Sequence, residues 1–381
     1  MGAGFLAACG SDNDALPTAT TAPSATSTGA SPPGNTLPPT ATTGPAPDVV
    51  LERKIAEMIM IGYNGTTLAD MDTTEEALSD GLVANLVLFD RNVVSPDQLA
   101  TITTEVSQLT ANPPLISIDQ EGGFVARLRP DKGFPDTVTA QYLGTQDPAV
   151  TRQYADSIAS TLKAAGINLN LAPVVDVNVN PSSPAIGFYE RSFSADPEVV
   201  AAHALEFIRA HHDHGVLTTL KHFAGHGSAT TDSHLGITDV TDTWSRDELI
   251  PFQHVIDAGE ADAIMTAHLV NAQLDSDYPG TLSRPTITGL LREEMGFDGV
   301  VITDDMQMGA IRQEYGYEHA LQLAVLAGAD ILAIANTLTY DPELPAKTFN
   351  AVLSAVQDGT ISEERIDQSY QRIMRLKSRL A

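Results

Sequence analysis

The chain has 381 residues, enough for one large barrel or two average domains, and 43% of them are hydrophobic, ample for a buried core. Its 49 acidic against 21 basic residues leave a formal charge of -28, which repels phosphate backbones and anionic headgroups and argues against a nucleic-acid partner. The single cysteine, Cys9, excludes an intramolecular disulfide, and no apolar run is long enough to span a bilayer.

In chain order, residues 16–47 come first as a distinct material. Thr, Pro, Ala, Ser and Gly dominate them, and they carry no charged side chain. Too little apolar surface is available there to offset chain entropy, so residues 10–48 are expected to be a disordered tether. Ahead of it, Leu6-Ala7-Ala8-Cys9-Gly10 resembles a bacterial lipobox. That resemblance implies that residues 1–9 are what remains of a lipoprotein signal and that the Cys9 thiol carries a lipid anchor. The expected location is extracytoplasmic, as a cell-surface lipoprotein or a secreted protein, with the anchor as the only membrane contact.

From residue 49 onward strands and helices alternate. Short runs rich in Val, Ile and Leu occupy 58–62, 83–89, 115–119, 168–175, 216–221, 262–267, 299–303 and 330–334. Between them, stretches such as 149–165, 197–214, 319–327 and 363–380 space apolar residues three and four apart. Near-continuous apolar strands imply a sheet buried on both faces, hence parallel strands joined by crossover helices. The fold class is α/β, and the element count predicts a (β/α)8 TIM barrel over residues 49–381. No GxGxxG follows the first strand, which weakens a dinucleotide-binding alternative.

The polar residues fall where such a barrel carries its chemistry, at the carboxyl ends of its strands. The third run ends in Ile118-Asp119-Gln120-Glu121-Gly122-Gly123 and the fourth in Val174-Val175-Asp176-Val177-Asn178. The fifth runs into Lys221-His222-Phe223-Ala224-Gly225-His226-Gly227, the sixth into Thr266-Ala267-His268 and the seventh into Thr303-Asp304-Asp305.

The segments IDQEGG (118–123), LAPVVDVN (171–178), ERSFSADP (190–197), KHFAGHG (221–227), DSH (232–234) and GFDGVVITDDMQM (296–308) resemble the family 3 glycoside hydrolases. More narrowly, they are similar to the bacterial β-N-acetylglucosaminidase branch, and the resemblance covers 50–380 in order and spacing. It implies a single-domain retaining enzyme that releases terminal β-linked N-acetylhexosamine from glycans or peptidoglycan fragments. Asp304 matches the nucleophile, which needs an ionised carboxylate beneath the anomeric carbon. Strand alternation is expected to turn only one of Asp304 and Asp305 toward the mouth. His234, oriented by Asp232, matches the acid/base; a plain Asp-Ser-His surface turn is the alternative. Glu121 is the nearest rival carboxylate for that role.

By the same resemblance Asp119, Arg127, Arg191, Lys221 and His222 hold the sugar hydroxyls, although Arg127 and Arg191 also suit plain ion pairs. His268 lines or supports the pocket, and His226 reads as structural. Phe188 and Tyr189, in a lengthened approach to Arg191, either stack on a sugar or fill the core of their own loop. The expected partner is a carbohydrate with terminal N-acetylglucosamine, acted on by a monomer without metal or other cofactor. Three rivals stay open. A glycoside phosphorylase would use the same site. A metal-dependent hydrolase would draw on His222, His226, His234 and His268, yet the first strand ends in Gly62-Tyr63-Asn64-Gly65 rather than in an HxH pair. The third is a sugar-binding lipoprotein without turnover.

Overall fold

The computed structural model of the chain describes residues 49–71, 73–231, 236–337 and 340–380. Cys9, residues 10–48, Asp232 and His234 lie outside the described residues.

Within them, eight strands form one sheet: β1 (Ile59–Ile61), β2 (Asn85–Leu88), β3 (Ile116–Ile118), β4 (Leu169–Asn170), β5 (Leu217–Phe223), β6 (Ala263–Thr266), β7 (Val300–Ile302) and β8 (Leu332–Ile334). Neighbours in sequence are neighbours in the sheet, and β8 returns to pair with β1, with Ile59 opposite Leu332 and Ile61 opposite Ile334. All these pairings are parallel, and a parallel bridge from Ile302 to Ile331 links β7 to the start of β8. The result is the expected (β/α)8 barrel. Each strand falls within or overlaps a predicted run. The fourth is the exception in extent: its regular ladder spans only Leu169–Asn170, and beyond it single main-chain bonds, such as Leu171 N–H to the Ile118 carbonyl and Thr219 N–H to the Ala172 carbonyl, and a bridge from Val174 to Lys221 continue the pairing.

The outer helices form where the apolar spacing demands. Pro148–Ala164 buries Thr151, Ala155, Ile158, Ala159 and Leu162, one stripe at three- and four-residue spacing. Its start is set by Asp147, whose carboxylate accepts from the Ala149 N–H, and by Pro148 in the first turn. Asp196 caps Pro197–Asp213 in the same way, and the Ser362 hydroxyl caps Glu363–Lys377 by accepting from the Arg365 N–H. The first and last helices, Leu51–Glu57 and Glu363–Lys377, are joined by a buried ion pair, Lys377 Nζ to Glu57 Oε2 at 2.5 Å. Every strand residue of β1, β2, β3 and β6 is buried, as a sheet covered on both faces requires.

Candidate active site

At the carboxyl ends of the strands a cavity of about 400 Å³ is lined by Asp119, Glu121, Lys221, His222, Asp304 and Asp305, among others. Asp119 directly follows β3, and Glu121 lies on a short antiparallel ribbon, Gln120–Gly122 with Val125–Ala126, built on its end. Lys221 and His222 lie near the carboxyl end of β5 itself, and the two aspartates follow β7.

The floor is an ion cluster. Lys221 Nζ donates to Asp119 Oδ1 at 2.7 Å and lies 2.6 Å from Glu121 Oε1. Arg127 donates to the other Asp119 oxygen at 3.2 Å. Arg191 grips Glu121 with two donors, Nε at 2.9 Å and Nη2 at 2.7 Å, and gives Nη1 to the Ala185 carbonyl. Burial by itself would raise both carboxyl pKa values. The surrounding cations outweigh it, so Asp119 sits well below the usual range and Glu121 falls to about 2. Both are ionised at neutral pH. Lys221, also buried, is kept charged by the same two carboxylates, its pKa raised against the pull of desolvation.

A second network lies beneath β5. Asp176, fully buried, accepts from the main-chain N–H of His222 at 3.1 Å and of His226 at 2.8 Å, and its Oδ2 meets His222 Nδ1 at 2.7 Å. An Nδ1–H directed at a carboxylate leaves Nε2 to face Arg191 Nη2, 3.4 Å away. His226 is buried and stacks edgewise on His222; desolvation takes its pKa down to about 4. The glycines of KHFAGHG are required by close approach. A side chain on Gly227 would stand 1.6 Å from the Val177 carbonyl oxygen, and Gly225 has φ +111° against Glu248.

The residues after β7 correct one sequence expectation. β7 ends at Ile302, so strand alternation no longer governs 304 and 305, and both aspartates line the cavity. Their hydrogen bonds differ instead. Asp305 Oδ1 accepts from the Gln307 and Ala335 N–H groups at 3.1 and 2.9 Å, tying the β7 turn to β8. Asp304 Oδ1 accepts from the N–H of Asp305 at 2.8 Å. His268 is buried and bridges Thr281 Oγ1 to the Asp305 carbonyl oxygen, so it supports this turn rather than lining the cavity.

The chemistry of this cavity suits a sugar: fixed anions and cations to grip hydroxyls, and a carboxylate at the end of β7. The profile of the Glycosyl hydrolase family 3 N terminal domain matches residues 50–376. The chain belongs to glycosyl hydrolase family 3. A beta-hexosaminidase from Xanthomonas euvesicatoria pv. vesicatoria is 36% identical over 305 residues, which are 77% of this chain and 87% of that protein. Among solved structures, a family 3 β-N-acetylglucosaminidase from Paenibacillus sp. str. FPU-7 superposes with a TM-score of 0.82 at 38% identity, over 87% of this chain and 63% of that one. A β-N-acetylhexosaminidase from Beutenbergia cavernae DSM 12333 gives 0.79 at 34% identity, over 87% of this chain and 99% of its own.

In this family 3 chain, Asp119, Arg127, Arg191, Lys221, His222 and Asp304 thus meet in one cavity. Asp232 and His234 lie outside the described residues, on the segment between Thr231 and Gly236. The described base of that segment is tied by a hydrogen bond from Thr231 Oγ1 to Thr238 Oγ1 at 2.9 Å. Asp176 stands among the polar residues at the strand ends, but the sequence assigns it no role. Its signal is a lone carboxylate inside an apolar run, which survives burial only with donors aimed at it.

Proposed function

We propose that this glycoside hydrolase removes terminal β-linked N-acetylhexosamine, N-acetylglucosamine foremost, from glycans or peptidoglycan fragments with retention of configuration. The observation carrying the reading is that Asp304 shares one cavity with the Asp119–Lys221–Glu121–Arg191 cluster, on a barrel whose relatives are named as hexosaminidases. The substrate is a carbohydrate. Its hydroxyls meet charge-assisted donors and acceptors whose positions are set before binding, so little ordering remains at the moment of reaction.

In this reading the Asp304 carboxylate attacks the anomeric carbon as the bond to the leaving oxygen breaks, and a covalent glycosyl-enzyme forms. The leaving oxygen must gain a proton. Asp119 and Glu121 are held ionised by their cations, and Asp305 is engaged by two main-chain donors. That supports a donor from outside the carboxylate set, and His234 oriented by Asp232 is the proposed one. Neutral after the first step, the imidazole takes a proton from water, which attacks the anomeric carbon and releases Asp304.

Release of aryl alcohol from an aryl β-N-acetylglucosaminide, followed by NMR, tests this. The β-anomer should appear first. An α-anomer appearing first would overturn retention, a sugar 1-phosphate formed in phosphate buffer would replace hydrolysis by phosphorolysis, and no release would overturn the activity. The Cys9 anchor is proposed alongside, resting on the Leu6-Ala7-Ala8-Cys9 sequence and the charge-free stretch 16–47 that follows it.

A further inference from the structure

Three aromatic rings stand in solvent at the mouth of the cavity. Phe124, Phe188 and Tyr189 are 64%, 69% and 43% exposed. They touch one another edge to face: Phe188 and Tyr189 at 5.1 Å and 90°, Phe124 and Tyr189 at 6.2 Å and 68°. Phe124 and Tyr189 also border the cavity that holds Asp304. Apolar rings gathered at one exposed spot mark a contact surface.

The segments bearing them are fixed. Phe124 caps the ribbon that carries Glu121, and Tyr189 lies two residues before Arg191. The buried Glu121–Arg191 pair, with side chains 6% and 11% exposed, ties both segments together beneath the rings. Main-chain bonds from Phe188 to Ser183, Glu190 to Gly187 and Arg191 to Ile186 close the second segment, and Glu190 takes φ +53° within it. The core beneath that loop is Val174, Ala185 and Ile186, all buried. Phe188 and Tyr189 therefore do not fill it. Exposure increases from the ion pair at the floor to the rings at the rim, so whatever meets the rings extends out of the cavity.

Resting on the function proposed above, we infer that Tyr189 and Phe124, buttressed by Phe188, form a leaving-group subsite that stacks on the pyranose ring next to the scissile bond. A β-linked pyranose presents a face of axial C–H groups that matches an aromatic face, while its equatorial hydroxyls stay in water. The preferred substrate is then an oligosaccharide, not a glycoside of a small alcohol.

The test compares kcat/KM on two probes, a β-linked N-acetylglucosamine disaccharide and β-N-acetylglucosaminyl fluoride, whose leaving group is one atom. In Tyr189→Ala and Phe124→Ala the disaccharide-to-fluoride ratio should fall roughly three- to tenfold each. Tyr189→Phe, which keeps the ring, should hold the ratio of the unaltered enzyme. Equal losses on both probes, or no loss on the disaccharide, would overturn the subsite and leave the hydrolase reading standing. Failure of the unaltered enzyme to turn over the fluoride would overturn that reading, and the subsite with it.

Discussion

In the cluster at the barrel mouth each carboxylate answers to two cations, Asp119 to Lys221 and Arg127, Glu121 to Lys221 and Arg191. Removing one member strands the others. Glu121→Ala should leave Arg191 and Lys221 undercompensated in a buried site, at a cost of about 3–5 kcal/mol measured by urea unfolding. The same pairing fixes the acid response. The folded pKa of Glu121, about 2, lies below its ordinary 4.5, so its contribution is complete above 4.5 and is lost as pH falls toward 2. Glu121→Gln should therefore narrow its stability gap to the unaltered protein across that window, and a gap constant with pH would contradict the pairing. At the end of β7 the two aspartates should separate kinetically. Asp304→Asn should lose on the order of 10⁴-fold in kcat with normal unfolding, whereas Asp305→Asn keeps an oxygen for its two main-chain donors and should lose far less.

The segment after β5 shows what an element demands of its neighbours and what a sequence conceals. Asp176 receives the N–H and imidazole of His222, at the end of β5, and the N–H of His226 in that segment, and Asp176→Ala should leave all three without that acceptor, costing several kcal/mol by the same unfolding measurement. KHFAGHG was legible as a motif because its glycines, lysine and histidines sit at a strand end. The carboxylates beneath it were not, since burial partners come from distant parts of the chain. Glu248 is one of these, reaching the Gly227 N–H at 3.1 Å. Burial, only partly offset by its hydrogen bonds and reinforced by Asp176, raises its pKa to about 7. A carboxyl with a raised folded pKa contributes fully below its ordinary 4.5, and that contribution is lost as pH rises through 7. The Tm of the unaltered protein minus that of Glu248→Gln should thus fall as pH rises from 4.5 through about 7 and level off above it. A difference that stays constant across that window would mean Glu248 is ionised throughout and would contradict its raised pKa.

For the whole molecule, the barrel was readable because eight apolar runs and capped amphipathic helices repeat one local rule. The residue order at the mouth was readable for the same reason, while the shared exposure of Asp304 and Asp305 depends on where β7 ends. The opposite end of the barrel holds stability. Just before β8, buried Asp330 accepts from Arg292 at 2.6 Å and Ser369 at 2.8 Å, with Arg365 and Arg372 at 3.4 and 3.5 Å. Asp330→Asn should lower Tm and leave kcat/KM of the folded protein unchanged; a parallel loss of kcat would contradict this division of labour. Full-length protein made in a bacterium with lipoprotein processing should partition into detergent, and Cys9→Ala should not; equal partitioning would remove the anchor. The central claim is the covalent step on Asp304. A fluorinated N-acetylglucosamine analogue that forms the glycosyl-enzyme but hydrolyses slowly, followed by mass-spectrometric fragmentation of the labelled peptide, should place one sugar on Asp304 itself. A sugar on Asp305 or on any other residue, or a fully active enzyme without an adduct, would contradict it.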